Sequence, residues 1–89
     1  MENKESVDWR LLRDQIKYLY GVGLVYHTYT PSNSNNDHDH CEFCMQKFGY
    51  GKTDLHQGYS TEDNYTWICK NCFNDFNEKF NWIVINHLK

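Results

Sequence analysis

Apolar residues recur in this chain with two different periods, and each period marks an element. Trp9, Leu12, Ile16, Leu19 and Tyr20 fall at three- and four-residue intervals, which predicts one face of an amphipathic helix over residues 7–20. Ser6 stands where an N-cap belongs, Asp8 and Asp14 oppose basic neighbours on the wet face, and Gly21 and Gly23 supply a stop. The aliphatic and β-branched run 22–30 reads as a strand, with helix continuing past Gly21 as the alternative. Further on, two short strands flank a turn at 61–64, and the second of them, 65–68, runs straight into Cys69. After Cys69 the period returns to that of a helix: Phe73, Phe76 and Phe80 form a core-facing stripe, while Asp75 and Glu78 take other faces. Trp82, Ile83, Val84 and Ile85 follow as an added strand or as more of the same helix.

Between these blocks, residues 31–37 offer nothing to bury and many side chains that compete for backbone hydrogen bonds, so a polar loop separates two modules. The expected organisation is a single domain over 1–89, with an N-terminal helix and possible strand at 6–30. A polar loop at 31–40, a metal module at 41–80 and a C-terminal extension at 81–89 complete it. At 89 residues such a domain has one thin core, filled by the 17% of residues that are aromatic, and it stands at the size where a metal staple begins to matter.

Every cysteine lies in one of two Cys-x-x-Cys pairs, Cys41 with Cys44 and Cys69 with Cys72. Four thiolates suit tetrahedral Zn²⁺, and a two-residue spacer lets the amides between two sulfurs turn around the ion. One structural Zn²⁺ held by Cys41, Cys44, Cys69 and Cys72 is therefore expected, with iron or a metal-free redox pair at Cys69 and Cys72 as alternatives. A site closed by four cysteines leaves no position for substrate, which argues against an enzyme.

The formal charge of −3 becomes about −5 with a bound metal centre, and no basic run interrupts it. Broad capture of nucleic acid or of an anionic membrane is disfavoured. The acidic start at residues 1–5 and the lack of any long apolar stretch point to a cytoplasmic protein.

A cysteine pair in a turn, then a hairpin, then a second pair whose last member opens a helix resembles the treble clef zinc module over Cys41 to about Phe80. The fold class this implies is a small α+β zinc-binding domain, treble clef-like, with an added N-terminal helix. The stretch from Trp67 to Phe76, with His40 to Cys44 and His56 to Tyr59 before it, is also similar to small bacterial zinc-binding proteins, a resemblance that implies no activity. A looser resemblance to His-Asn-His nucleases rests on Asp54, His56, Asn64 and Asn74, whose spacing must be stretched to fit.

The acid and histidine cluster of Asp37, His38, Asp39 and His40 could hold a second metal, tune the cysteines or solvate a loop. His27 reads as packed, His56 as orienting the hairpin, and His87 has no visible partner. The expected core joins Phe73, Phe76 and Phe80 to Trp9, Leu12 and Ile16. The expected role is a noncatalytic interaction module or small regulator that contacts another protein through Tyr50, Tyr59 or Tyr65. The alternative is nucleic-acid binding through Arg10, Arg13, Lys17 or Lys52.

Overall fold

The structure is a computed structural model and describes residues 8–33 and 37–85. It is an α+β arrangement with a mixed sheet and one main helix. Six strands run in chain order: β1 (Gly23–Thr28), β2 (Asp39–His40), β3 (Lys47–Phe48), β4 (Gln57–Ser60), β5 (Trp67–Ile68) and β6 (Ile83–Val84). Two helices accompany them, the single turn α1 (Ile16–Leu19) and the longer α2 (Lys70–Phe80).

The four-stranded sheet has the order β5-β4-β1-β6, and β2 and β3 form a separate two-stranded sheet. The run 22–30 is a strand, not a continued helix, and it sits at the centre: Tyr26 faces Tyr59 in antiparallel β4, while Leu24 faces Val84 in parallel β6. The tail after α2 thus becomes a strand. Asn81 makes that reversal possible, since its left-handed backbone (φ 53°) ends the helix with its N–H on the Asn77 carbonyl. The Trp82 indole then donates to the Leu19 carbonyl at 2.9 Å and pins the chain as it enters β6.

The Phe73, Phe76 and Phe80 stripe is buried as expected, but its partners are different ones. Phe73 stacks face to face on Tyr59 (3.8 Å between centroids, 6° between planes), and Phe80 lies 5.0 Å from Trp82. Trp9 and Leu12 point to solvent, at 60% and 70% exposure, and Ile16 and Tyr20 are exposed as well. From the N-terminal segment it is Leu11 and Leu19 that pack on the core, with Gln15 buried between them.

The long amphipathic helix over 7–20 does not form. A 3-10 turn at Trp9–Leu11 is followed by Asp14 in the left-handed region (φ 61°), and only then by α1. The physical reason lies in what holds the segment. Asp8 caps the 3-10 turn by accepting from the Arg10 amide, and the Gln15 side-chain amide donates to the Arg10 and Glu42 carbonyls at 2.8 and 2.9 Å. These bonds turn positions 11, 15 and 19 to the core, Leu11 in part and Gln15 and Leu19 fully, a set spaced by four that hydrophobicity alone hides because its middle member is polar. The proposed cap Ser6 lies outside the described residues.

β4 is crowded at Gly58. A Cβ there would stand 2.6 Å from Phe48 Cε1 and 3.0 Å from the Ile68 carbonyl, and Phe48 is fully buried. Gly58→Ala should therefore cost about 1–3 kcal/mol by overpacking, read as a lower denaturant midpoint with an unchanged slope. An unaltered midpoint would mean that Phe48 has room to move.

Tyr29 links β1 to the β2–β3 hairpin by donating its hydroxyl to Asp39 at 2.8 Å. Burial, and then the Asp39 carboxylate, hold its phenol well above the ordinary value of 10.0. The folded chain so keeps a proton that the unfolded chain sheds above about pH 10, and this share of stability is present below that pH and lost as pH rises further. The denaturant midpoint should fall between pH 9 and pH 11, and fall less in Tyr29→Phe.

Candidate metal centre

Backbone geometry brings the two cysteine pairs together. β2 delivers Cys41, after which the chain reverses: the Met45 amide donates to the Cys41 carbonyl at 3.1 Å, and the Cys41 amide to the Gln46 carbonyl at 2.8 Å. Met45 must adopt the left-handed region (φ 71°) to close this turn. The turn is then fastened to the second pair, because the Glu42 amide donates to the Trp67 carbonyl at 2.8 Å, one step of chain before Ile68 and Cys69. Cys69 is the N-cap of α2, with extended backbone (φ −71°, ψ 160°), and Cys72 lies in the first turn.

The four sulfurs all lie within 4.8 Å of one another, with Cys44 and Cys69 at 3.7 Å. Four sulfurs held about 2.3 Å from one tetrahedral ion stand about 3.8 Å apart, so the donor set fits a single metal ion. Among the described residues, this is the one group of three or more such side chains with ligand atoms so placed.

The surroundings favour negative sulfur. Cys41 accepts from the amides of Phe43 (3.4 Å) and Cys69 (3.3 Å), and Cys69 accepts from the Cys72 amide at 3.4 Å. The last of these is one of the amides that a helix N-terminus leaves unpaired, and the helix dipole adds to it. Arg10 donates to Cys72 at 3.6 Å.

Without a cation the buried cluster is frustrated. Hydrogen bonds from Cys69 and Cys72 pull the Cys41 thiol far down, while donating to Cys41 pushes the Cys69 thiol up to about 11 and the Cys72 thiol higher still. One negative charge is stabilised at the expense of its neighbours' ionisation. A dication removes that conflict, since it pairs with all four sulfurs at once.

Comparison of the chain with protein-family models, with curated proteins and with solved structures finds no match. The site's reading rests on its own geometry.

Arg10 is the residue that sequence reasoning misplaced. Its guanidinium donates twice to Asp8, and to Asp75 at 2.9 Å, besides Cys72, and it lies 4.5 Å over the Phe76 ring. The hydrogen bond to Asp8, and after it the one to Asp75, raises its already high pKa further, against the opposing effect of burial. Arg13 donates to the Glu42 carbonyl and Lys17 pairs with Asp14 at 3.1 Å, so three of the four cations assigned to phosphate contact have partners within the chain. No spacing rule could have found Arg10, because its partners Cys72 and Asp75 are brought to it only by the fold.

The other candidates stand apart from the sulfurs. His38 bonds Asp37 at 2.7 Å and meets His40 edge to face at 5.1 Å, and neither joins the cysteine cluster. His27 is packed on Trp67 with Nε2 2.7 Å from the Ser60 hydroxyl, and burial holds its pKa down. His56 is 2.8 Å from the Gly51 carbonyl and so braces the loop before β4. Tyr50 and Tyr65 are exposed, but Tyr59 is half-buried on Phe73 and is withdrawn as a contact residue. His87 lies outside the described residues. Among the described residues no helix is long and apolar enough to cross a membrane.

Proposed function

We propose that the chain is a treble clef-like module built around one structural Zn²⁺, held by Cys41, Cys44, Cys69 and Cys72, and that it serves as a noncatalytic interaction module. The observation that carries the metal reading is the closed set of four sulfurs, all within 4.8 Å, one of them capping a helix. The knuckle at 41–44, the β4–β5 hairpin and the helix opening at Cys69 follow one another in the treble clef order. Zinc is favoured over iron because a d¹⁰ ion demands only this tetrahedral thiolate set and no redox partner. With four thiolates bound, no coordination site is left for water or substrate, which supports a structural role.

Native mass spectrometry of untagged protein, purified without added metal, tests the reading. One zinc per chain, released by chelation together with four reactive thiols, is the expected result. Bound iron would overturn the choice of zinc, and zinc with some thiols already free would overturn the four-cysteine ligand set.

The interaction reading is supported by exposed Tyr50 and Tyr65 and by the partners that Arg10, Arg13 and Lys17 have within the chain, which engage three of the four cations considered for phosphate contact. The expected result with a labelled oligonucleotide at low salt is no saturable binding. Binding that weakens steeply with added salt would favour the nucleic-acid alternative.

A further inference from the structure

We propose that Cys44 is the reactive thiolate of the metal centre: soft two-electron electrophiles, hydroperoxides in particular, attack it first, and the product is a Cys44–Cys69 disulfide with loss of the ion. The inference rests on the metal reading above and adds chemistry to it.

The four sulfurs are unequal in two independent ways. The first is access. Cys41, Cys69 and Cys72 are buried at 0%, 3% and 1% exposure, whereas Cys44 is only partly covered. It lines a cleft of about 580 Å³ together with Asp8, Trp9, Arg10, Gln46 and Asn71, a cleft that the more deeply buried Cys69 and Cys72 also reach. The second is electronic. Hydrogen bonds to a thiolate withdraw charge from sulfur and lower its nucleophilicity. Cys41 accepts two backbone amides, Cys69 accepts one, and Cys72 takes the Arg10 guanidinium. Among the described residues Cys44 has no backbone or cationic donor. Its side-chain contact with exposed Gln46 runs the other way, the Cys44 thiol donating to the Gln46 Oε1 at 3.7 Å, a contact that water can replace. The sulfur that solvent reaches is thus also the one with the most charge available for reaction.

The step balances without a further reactant. The Cys44 thiolate attacks one peroxide oxygen; an S–O bond forms, the O–O bond breaks, and hydroxide leaves. The Cys69 thiolate, 3.7 Å away, then attacks the Cys44 sulfur, forms the S–S bond and expels a second hydroxide. Two thiolates lose two electrons in total, and the peroxide gains them. The sulfurs close from 3.7 Å to about 2.05 Å as the S–S bond forms. Loss of two of the four ligands frees the ion.

The test uses the native chain, with its metal content measured first. One equivalent of N-ethylmaleimide, quenched early and mapped by peptide mass spectrometry, should label Cys44 about tenfold more than any other cysteine. One equivalent of hydrogen peroxide should yield the Cys44–Cys69 disulfide, with one ion released per disulfide to a chromogenic chelator. Metal-loaded protein that is labelled first at Cys41, Cys69 or Cys72, or evenly, would overturn the inference and leave the metal reading intact. So would a first disulfide that excludes Cys44. Protein that carries no metal would overturn both.

Discussion

Removing the metal with a strong chelator at neutral pH should unfold the chain, with loss of near-ultraviolet dichroism and a shift of tryptophan emission toward that of exposed indole. The centre sits inside the core: Cys41, Cys69 and Cys72 are counted among its buried members, and Phe43, at 1% exposure, lies between Cys41 and Cys44. Structural zinc sites contribute about 10–16 kcal/mol in small peptides at neutral pH, against a total stability of about 5–15 kcal/mol for a domain. On the zinc reading the ion would contribute as much as everything else together. What remains after its removal is a buried set of thiols that cannot all ionise and cannot all be satisfied. Cys72→Ser should behave in the same way, since it deletes a ligand and the acceptor of Arg10. A chelated chain that keeps a cooperative melt at the same midpoint would show that the aromatic core suffices without the ion.

The four-cysteine cluster was legible because its information is local. A Cys-x-x-Cys pair carries its geometry in four consecutive residues, and two pairs can satisfy one ion in few other ways. The Phe73, Phe76 and Phe80 stripe was legible for a similar reason, since a helix of eleven residues repeats its period three times. The N-terminal segment has only about that much periodic signal, and its buried register includes Gln15, a residue that pattern reading assigns to the wet face. Gln15 is inside because carbonyls of Arg10 and Glu42 need a donor there, and Glu42 belongs to the first cysteine pair. Arg10 was misread for a related reason. Its charge was visible, but three of its four partners lie on α2, far along the chain, so a cation that looked available to phosphate is bound to Asp8, Asp75, Cys72 and the Phe76 ring. The sequence pattern marked where apolar surface lies, and the polar contacts around the metal turn decided which part of it is buried.

Phe43→Ala should be the most damaging substitution outside the four cysteines. Its ring lies 5.1 Å from Phe76, 5.4 Å from Phe80 and 5.8 Å from Trp82, and so it carries the first cysteine pair onto α2 and the start of β6. Deleting a buried phenyl ring costs about 3–5 kcal/mol, most of the stability available to a domain this small. Two pieces of the structure make the higher end of that range the expected one. The Trp82 ring is fixed by its indole bond to the Leu19 carbonyl, and the Phe80 backbone by the Gly21 amide on its carbonyl, so the chain around the void has little freedom to collapse into it. Phe43→Leu keeps much of the volume and should lose clearly less. The effect should also reach the ion, because folding and metal binding are one equilibrium: Phe43→Ala should release zinc to a competing chelator at a lower concentration than the parent chain, although every ligand is present. Excess zinc should restore part of the lost midpoint, by an amount that grows with the logarithm of free metal. If Phe43→Ala holds zinc and melts as the parent does, the cysteine turn is stabilised by its backbone bonds alone, and the coupling of knuckle to helix through this ring is wrong.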